Sequence, residues 1–412
     1  MAPGGVTPSG PGRAEKVSFA DLLLVLVAVP VVCFSGYLFL LALFSQRIAT
    51  PAASAMPQLF FDVIVPAHNE EAGISATVRS LFQVDYPRNL FRVVVVADNC
   101  ADQTAVRAEA AGATVLTRND PAHRGKGHVL SYAFGHSLRE GRADAVAVVD
   151  ADTTVSQNLL RAFAARIERG AEAVQVDYAV QNPDASWRTR LLRIAFGTFH
   201  VLRSLARERL GLSTGLRGNG MCFTARLLRA VPHRAFSLVE DLEYGIDLGE
   251  AGHRVHYAPE AHVYGEMVSL ATPARTQRQR WEHGRRKLAL LRGPALLVRG
   301  LRRRDKLLFD LAMDLLVPPL SSLVIISALG VFASSLVSAR TAEPSIAVML
   351  WIISLLFLAF YVLRGWALSS TGARGLLDLM WAPAYMVWKL TLLFSPSDYK
   401  KDEWLRTTRE QK

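Results

Sequence analysis

The sequence predicts an α/β fold in which a mostly parallel sheet is bounded by membrane helices at both ends of the chain. Short β-branched runs alternate with helical stretches between about residues 58 and 267, which is the pattern of a parallel sheet covered by helices. Apolar segments long enough to cross a bilayer of about 30 Å lie on either side of that region. The length of 412 residues also exceeds that of a usual single domain.

The amino-acid composition and net charge indicate which classes of molecule the protein binds. Hydrophobic residues make up 51% of the chain and charged residues 20%, which fits a protein that is partly in lipid and partly in water. The net charge of +11 indicates anionic partners, such as membrane lipid headgroups or a phosphate-bearing substrate. No nucleic-acid-binding motif is present, so we predict no nucleic acid partner. Cys33, Cys100 and Cys222 lie far apart, which argues against a disulfide framework or a structural zinc site.

The N-terminal region is predicted to anchor the chain. Residues 1–17 are rich in Gly, Pro and small residues and are expected to form a disordered leader. Residues 18–45 are predicted to form a transmembrane helix. A cleaved signal peptide is the alternative, but the apolar stretch is longer than a signal h-region and lacks a clear small-residue cleavage site.

The C-terminal region begins with a basic stretch. Leu and Arg interleave across residues 268–306, as expected for helices in the membrane interface. Residues 308–337, with a break at Pro318 and Pro319, and residues 346–363 are predicted to be transmembrane helices.

A further apolar segment, residues 376–394, contains Asp378, Pro383 and Lys389 and either spans the membrane or lies along its surface. The positive-inside rule places the basic tail, residues 395–412, and the large domain in the cytosol. That arrangement favours three spans over four.

Polar residues follow the first two predicted strands, at the end of a parallel sheet where ligands gather. In VIVPAHNEE, Pro66 is expected to stop the strand and to belong to the donor-binding site, and Glu70 to place a carboxylate near a helix N-terminus. In VVVVADNCADQT, Asp98 lies at the strand tip, where a carboxylate can accept a hydrogen bond from a base or a ribose hydroxyl. Both motifs are also compatible with ordinary helix caps.

The next two motifs suit phosphate and metal chemistry. In HRGKGHVL, Lys126 lies between glycines that allow a phosphate close to the backbone, although the spacing is not that of a P-loop. In AVAVVDADTTV, Asp150 and Asp152 can direct oxygens toward Mg²⁺ or Mn²⁺ on a diphosphate. An Asp-rich turn without a metal is the alternative.

Two later motifs suit the acceptor side of a reaction. Glu240 and Asp241 in SLVEDLEYG either cap a helix or supply a general base, for which Asp241 is the candidate. Gly218 and Asn219, in GLRGNGMCF, either line an acceptor pocket or form a plain glycine-rich bend.

The last motif is QRQRW. On a helix Gln277 and Trp281 share a face and Arg280 lies beside it, so these side chains could bind a departing diphosphate and stack on a sugar. A basic helix with a Trp anchor at the membrane surface is the alternative.

The motifs PAHNEE, VADNCADQT, RGKG, DAD, VED and QRQRW, in this order, resemble those of the membrane-bound family 2 glycosyltransferases, the group of cellulose, hyaluronan and poly-N-acetylglucosamine synthases. The resemblance covers most of residues 60–285. It implies a nucleotide-sugar-binding domain of the GT-A type over residues 58–267. It also implies roles for single residues: Glu70 and Asp98 near the nucleoside, Asp150 near the diphosphate, Asp152 on the metal, Asp241 as base, and Gln277, Arg280 and Trp281 closing the donor site.

The resemblance further implies inverting transfer from a nucleotide sugar, by family analogy a UDP-sugar, to a hydroxyl of a glycan in cell-surface or exopolysaccharide synthesis. Because we predict fewer spans than the large synthases carry, single-sugar transfer to a lipid, as in ceramide glucosyltransferases, is the alternative. A non-enzymatic scaffold is a third possibility, against which the full acidic set argues. We expect an integral protein of the bacterial inner membrane with its catalytic domain in the cytosol.

Overall fold

The computed structural model describes residues 19–54, 56–182, 184, 186–265, 271–341 and 345–384. The predicted leader and tail lie outside these residues. Contacts divide the chain into two compact units, one containing Pro318–Ala359 with the N-terminal residues through Tyr37, the other containing Leu38–Val317 with the residues from Phe360 onward.

Eight strands of the second unit form one sheet. They are β1 Phe61–Ala67, β2 Phe91–Asp98, β3 Thr114–Arg118, β4 Ala145–Val148, β5 Thr153–Val155, β6 Ala173–Val180, β7 Met221–Thr224 and β8 Val255–Gly265. Their order is β3-β2-β1-β4-β7-β6-β8-β5. The parallel pairs are β1–β2, β1–β4, β2–β3 and β6–β8. The antiparallel pairs are β4–β7, β6–β7 and β5–β8. The predicted mostly parallel sheet is confirmed.

Helices connect the strands and continue beyond the sheet. They are α1 Phe19–Leu43, α2 Ile74–Phe82, α3 Thr104–Ala110, α4 Lys126–Glu140, α5 Leu159–Ile167, α6 Trp187–Phe196, α7 Arg203–Leu210, α8 Ala225–Ala230, α9 Glu240–Glu250, α10 Ala271–Arg303, α11 Lys306–Leu316, α12 Leu320–Thr341, α13 Ile346–Leu368 and α14 Gly372–Asp378. A π-helical segment, Gly197–Leu202, joins α6 to α7.

Both faces of the sheet are buried. Val63 and Val65 of β1 enter one apolar core with Ile74 of α2, while Ile64 enters a second core with Leu130 of α4. Burial on both faces explains why the strands read as nearly continuous apolar runs rather than as alternating patterns.

Pro66 does not stop β1, contrary to the sequence expectation, because β1 continues to Ala67 and pairs Pro66 with Val96 of β2. The backbone carbonyl of Ile64 accepts a hydrogen bond from the Val149 amide, so the backbone polar groups of Ile64 point toward β4. The backbone nitrogen of Pro66, two residues further along β1, points to the same side, but the pairing of β1 with β4 has already ended at Ile64 and Val148. A proline without an N–H is tolerated there because no ladder bond is lost.

The segment predicted as one transmembrane helix over residues 308–337 is two helices. Asp305 caps α11 by accepting hydrogen bonds from the backbone N–H groups of Leu307 and Leu308 at 2.9 and 3.2 Å. Pro318 and Pro319 separate α11 from α12, since a proline lacks the N–H that a continuing helix requires.

Helix α11 packs against α9 and α10 within the second unit. Val239, Ile246, Leu288, Leu296 and Leu308 belong to one buried apolar cluster that joins the three helices. Arg292 of α10 also binds Asp247 of α9 at 2.9 Å and pairs with Glu250. The basic stretch after the sheet is therefore one long helix that is partly buried against protein.

Among the described residues, three helices are long and apolar enough to cross a membrane, namely Phe19–Leu43, Leu320–Arg340 and Ile346–Leu368. The ambiguous segment begins in α14, where Asp378 binds Arg190 at 2.5 Å. Its residues 385–394 lie outside the described residues, so three rather than four spans stays a prediction.

Candidate active site

The loops after β1 and β2 are joined at the carboxyl ends of their strands. Asn69 and Asn99 both adopt positive φ, at 56° and 48°, so each strand ends in a left-handed turn. The Asn69 side chain accepts a hydrogen bond from the Ala101 amide at 2.8 Å, and the Glu70 amide donates to the Thr104 hydroxyl at 2.8 Å. These bonds fix the Glu70 backbone at the edge where the sequence predicts a nucleoside.

Asp98 lies at the tip of β2, as predicted, but its side chain is only 1% exposed. Arg118 binds one carboxylate oxygen at 2.5 Å, and the side-chain amide of Asn99 donates to the other at 3.0 Å. A nucleoside would therefore have to share a carboxylate that already has two protein partners. The predicted role of Asp98 in donor binding stays a prediction.

Lys126 connects the motif at the start of α4 to the end of β4. Its ammonium group pairs with Asp150 and donates a hydrogen bond to the Gly218 carbonyl at 2.6 Å. Burial alone would lower the pKa of Lys126, but the neighbouring carboxylates of Asp150 and Glu240 raise it above the usual value. Lys126 is therefore a firmly protonated cation placed between predicted donor and acceptor residues.

Asn219 joins the glycine-rich bend to the Asp-rich turn. Its side-chain oxygen accepts from the Asp150 amide at 3.1 Å, and its side-chain nitrogen donates to the Thr153 hydroxyl at 2.9 Å. Gly218, before it, has φ of +75°, and a Cβ there would lie 3.4 Å from Asp241 Oδ2. The bend thus positions backbone, rather than side chain, directly beside the predicted base.

Glu240 and Asp241 form the first turn of α9. Burial and the charge of Asp241 raise the pKa of Glu240 to about 7. Burial also raises the pKa of Asp241, while Lys126 and Arg217 oppose that shift. A general base must be ionised to accept a proton, so these two cations favour the form that Asp241 needs.

Asp150 and Asp152 can hold a divalent cation. Both follow β4, the Asp150 side chain is 29% exposed, and the Asp152 carboxylate accepts a hydrogen bond from the Thr153 hydroxyl at 3.3 Å. The described residues contain no cluster of three or more potential metal ligands. One or two carboxylates are nevertheless the usual protein share for Mg²⁺ on a phosphate substrate, so the pair fits the predicted Mg²⁺ or Mn²⁺.

The structure brings most of the predicted site residues to one edge of the sheet. Direct contacts link Lys126, Asp150, Gly218, Asn219 and Asp241. The backbone of the QRQRW string belongs to α10, but the side chains of Gln277, Arg280 and Trp281 lie outside the described residues. Their roles in donor binding stay predictions.

Two further residues support the site and were not predicted. Gln175 of β6 is fully buried, donates to the Asn219 carbonyl at 2.8 Å and accepts from the Arg217 amide at 2.9 Å. A lone amide inside the apolar run AVQV was the available signal, because a buried polar side chain needs partners. Arg217 stands in the predicted bend and carries no sequence signal of its own.

Comparisons with known proteins identify the family of this chain. The family model described as "Glycosyltransferase like family 2" matches residues 57–284, which is more than half of the chain. A beta-monoglucosyldiacylglycerol synthase of Synechocystis sp. is 30% identical over 57% of this chain and 50% of its own length. An N-acetylglucosaminyltransferase of Rhizobium meliloti is 26% identical over 67% of this chain and 68% of its own length.

Solved structures are also similar to this chain. The mannosyltransferase PcManGT from Pyrobaculum calidifontis, in complex with GDP-Man and Mn²⁺, is 17% identical with a TM-score of 0.50, covering 86% of this chain and 99% of that one. This likeness supports the GT-A fold. The chain spans only about half the length of the Synechocystis relative. Because the family match covers the sheet and every predicted motif through QRQRW, the chain belongs to glycosyltransferase family 2 and has the GT-A fold.

Proposed function

We propose that this enzyme transfers a single hexose, with inversion, from a nucleotide sugar to a hydroxyl of a membrane lipid. The observation that carries the proposal is the position of Asp241. It lies at the start of α9 beside Gly218, and Gly218 in turn binds the ammonium group that pairs with Asp150. A base thus lies next to the residues that suit a donor diphosphate.

The proposed reaction needs one base and no covalent sugar–enzyme intermediate. Asp241 accepts the proton of the acceptor hydroxyl while the hydroxyl oxygen bonds to the anomeric carbon of the sugar. The bond from that carbon to the diphosphate oxygen breaks at the same time. Attack opposite the leaving group inverts the anomeric carbon. Lys126 supplies positive charge where the leaving diphosphate becomes more negative.

Asp150 and Asp152 are the residues that would hold the divalent metal, Mg²⁺ or Mn²⁺. When bound, such a cation neutralises charge on a diphosphate. We infer a UDP-sugar as donor from the family resemblance.

Two observations favour a lipid acceptor. Three described helices are long and apolar enough to place the catalytic unit at a membrane. The Synechocystis relative is by name a monoglucosyldiacylglycerol synthase. The N-acetylglucosaminyltransferase of Rhizobium meliloti supports the second candidate, transfer to a glycan in exopolysaccharide synthesis.

We further propose that the protein is integral to the bacterial inner membrane, with the catalytic unit in the cytosol, where nucleotide sugars are made. The net charge of +11 suits contact with anionic lipid headgroups.

The test is Asp241→Asn in the full-length protein, incubated in lipid vesicles with labelled UDP-hexoses. We expect transfer to fall by about 10²–10⁴-fold while donor binding is retained. Glu243→Gln, in the same helical turn, is the matched control and should keep transfer. Full transfer by the Asp241 variant contradicts the assignment. Sizing of the labelled product separates a single-sugar lipid from a polymer.

A further inference from the structure

The outer face of α10 carries a stripe of exposed apolar side chains. Leu290 and Leu291 are 71% and 68% exposed, and Leu301 is 60% exposed. Pro294 and Val298 lie between them along the helix and are exposed as well. With about 3.6 residues per turn, these five side chains point into one sector about 100° wide and extend over about 16 Å. We name these five residues the outer stripe.

The opposite face of the same helix is fixed to protein. Leu288 and Leu296 belong to the buried apolar cluster that α10 shares with α9 and α11. A Cβ on Gly293 would lie 2.6 Å from Leu316, so α10 and α11 are in close contact at that level. The outer stripe is therefore held away from the core by the packing of the other side of the helix.

A stripe of this kind indicates a binding surface. Single exposed leucines are normal on soluble proteins, whereas contiguous apolar patches mark sites of contact with a protein or a membrane. The sequence predicts helices in the membrane interface over residues 268–306, but it does not show which side chains meet the lipid. Because one side of α10 is buried, a partner has to approach from the side of the outer stripe.

Basic residues flank the outer stripe at both ends. Residues 286–306 contain eight basic side chains and one acidic side chain, that of Asp305, which caps α11. Arg292 and Arg299 pair with acidic residues of α9. Within the described part of the chain the six other basic side chains form no ion pair. All six are exposed, namely Arg286, Lys287, Arg302, Arg303, Arg304 and Lys306.

These charges favour a lipid surface over a protein as the occupant. A symmetric contact between two copies of the chain through the outer stripe would bring like charges together. The predicted tail, residues 395–412, contains five basic and four acidic residues, so it offers no complementary charge. An anionic bilayer supplies both an apolar layer for the leucines and phosphates for the arginines, whose stems can lie along apolar surface while their charges stay in the headgroup region.

We propose that the outer stripe docks on the surface of an anionic bilayer, with its leucines at the boundary between headgroups and acyl chains and the six exposed basic side chains on lipid phosphates. Each such charge contributes about fivefold to the affinity for an anionic surface. Helix α10 packs on α9, whose first turn contains Asp241. The docked helix thereby sets the distance of the proposed base from the lipid surface. This last consequence rests on the proposed function, whereas the docking itself does not.

The test locates one residue of the outer stripe relative to lipid and needs no transfer. The full-length protein with Leu291→Cys is labelled with a fluorophore and reconstituted into vesicles that contain a nitroxide-labelled phospholipid as quencher. Cys33→Ser and Cys100→Ser remove the accessible native thiols, since Cys222 is buried. The vesicles contain phosphatidylcholine alone or an equal mixture of phosphatidylcholine and phosphatidylglycerol.

We expect strong quenching in the vesicles with phosphatidylglycerol and at least about twofold weaker quenching in those without it. The same label at Glu109→Cys, an exposed position on α3, is the matched control and should stay unquenched in both. Leu301→Cys is the second label position should the first variant fail to fold. A label at either stripe position that is unquenched in both kinds of vesicle shows that protein or water covers the stripe, and it overturns the proposal. Equal quenching in both kinds of vesicle overturns the role of anionic lipid.

Charge variants test the basic side chains separately. Replacement of Arg302, Arg303 and Arg304 by Gln should lower the quenching with phosphatidylglycerol toward its value in phosphatidylcholine, and high salt should do the same. Replacement of Arg79, Arg139 and Arg229 by Gln removes the same charge from exposed positions on other helices and should leave the quenching unchanged. Equal effects of the two triple variants would reduce the result to net charge and overturn the assignment to α10. Loss of transfer in Asp241→Asn with quenching retained tests the base independently.

Discussion

The side chain of Asn219 accepts a hydrogen bond from the backbone amide of Asp150 at 3.1 Å. This bond joins the glycine-rich bend beside Asp241 to the turn that carries the proposed metal ligands. The position of the base relative to the leaving group therefore depends on one buried amide.

Asn219→Ala should destabilise the protein and impair the site. It leaves the Thr153 hydroxyl and the Asp150 amide without their partner, at a cost of about 1–3 kcal/mol. We expect a lower Tm and a higher KM for the donor. Asn89→Ala, at an exposed position, is the control. If both variants match the parent in Tm and KM, Asn219 does not organise the site.

Glu240 should make stability depend on pH. Its pKa is raised from 4.5 to about 7 in the folded protein, so the folded state holds a proton that the unfolded state releases between these values. The contribution of this group is fully present below about pH 4.5 and is lost as pH rises through 7.

Glu240→Gln should flatten that part of the stability curve. The measurement is Tm in detergent at several pH values between 4.5 and 7.5. Glu243→Gln is again the control, and it should leave the slope unchanged. An identical slope in the parent and in Glu240→Gln would show that the group titrates alike in both states.

Asp152→Asn should weaken metal binding. Removal of one of two carboxylate ligands is expected to raise the Mn²⁺ concentration for half-maximal activity by about tenfold or more. The measurement is a Mn²⁺ titration after treatment with EDTA. Asp184→Asn, at an exposed position, is the control. Full activity of the parent in EDTA would contradict metal use altogether.

Asp314→Asn should cost far more stability than loss of a surface ion pair. It removes the carboxylate that binds Arg203 and Arg207 in a buried position, for which about 3–5 kcal/mol is typical. The control is Asp85→Asn. Asp85 pairs with Arg161 at the surface and its side chain is 66% exposed, so its loss should lower the free energy of unfolding by less than about 1 kcal/mol. Equal decreases in Tm would contradict the buried network.

Much of the fold could be predicted from sequence because a parallel sheet buried on both faces requires apolar runs, and its ligand-binding edge requires polar residues after each run. Asp150 and Asp152 were predicted as site residues in this way, and their roles stay predictions. The prediction that Pro66 ends β1 was wrong. A proline is tolerated at this position because the pairing with β4 has already ended, and the local sequence does not show where that pairing ends. Residues 308–316, which belong to α11, were predicted as part of a transmembrane helix. The apolar face of α11 packs on α9 and α10, and in sequence it looks like a face exposed to lipid.

The buried ion-pair network of Arg203, Arg207, Asp310 and Asp314 could not be predicted. Its members come from α7 and α11, far apart in sequence, and each alone is an ordinary surface-type residue. Gln175 was missed for the same reason, since its importance comes from the bend that it binds rather than from its own neighbours.

The packing of α9 against α10 has a consequence for turnover. A Cβ on Gly284 would lie 2.9 Å from Val239, the residue before Glu240, and Arg292 binds Asp247 further along the same interface. Helix α10 also carries the QRQRW string. The close packing therefore couples α10 to the helix that begins with Glu240 and Asp241. A larger side chain at position 284 would push Val239 aside and displace Asp241, although the substitution lies outside the site itself.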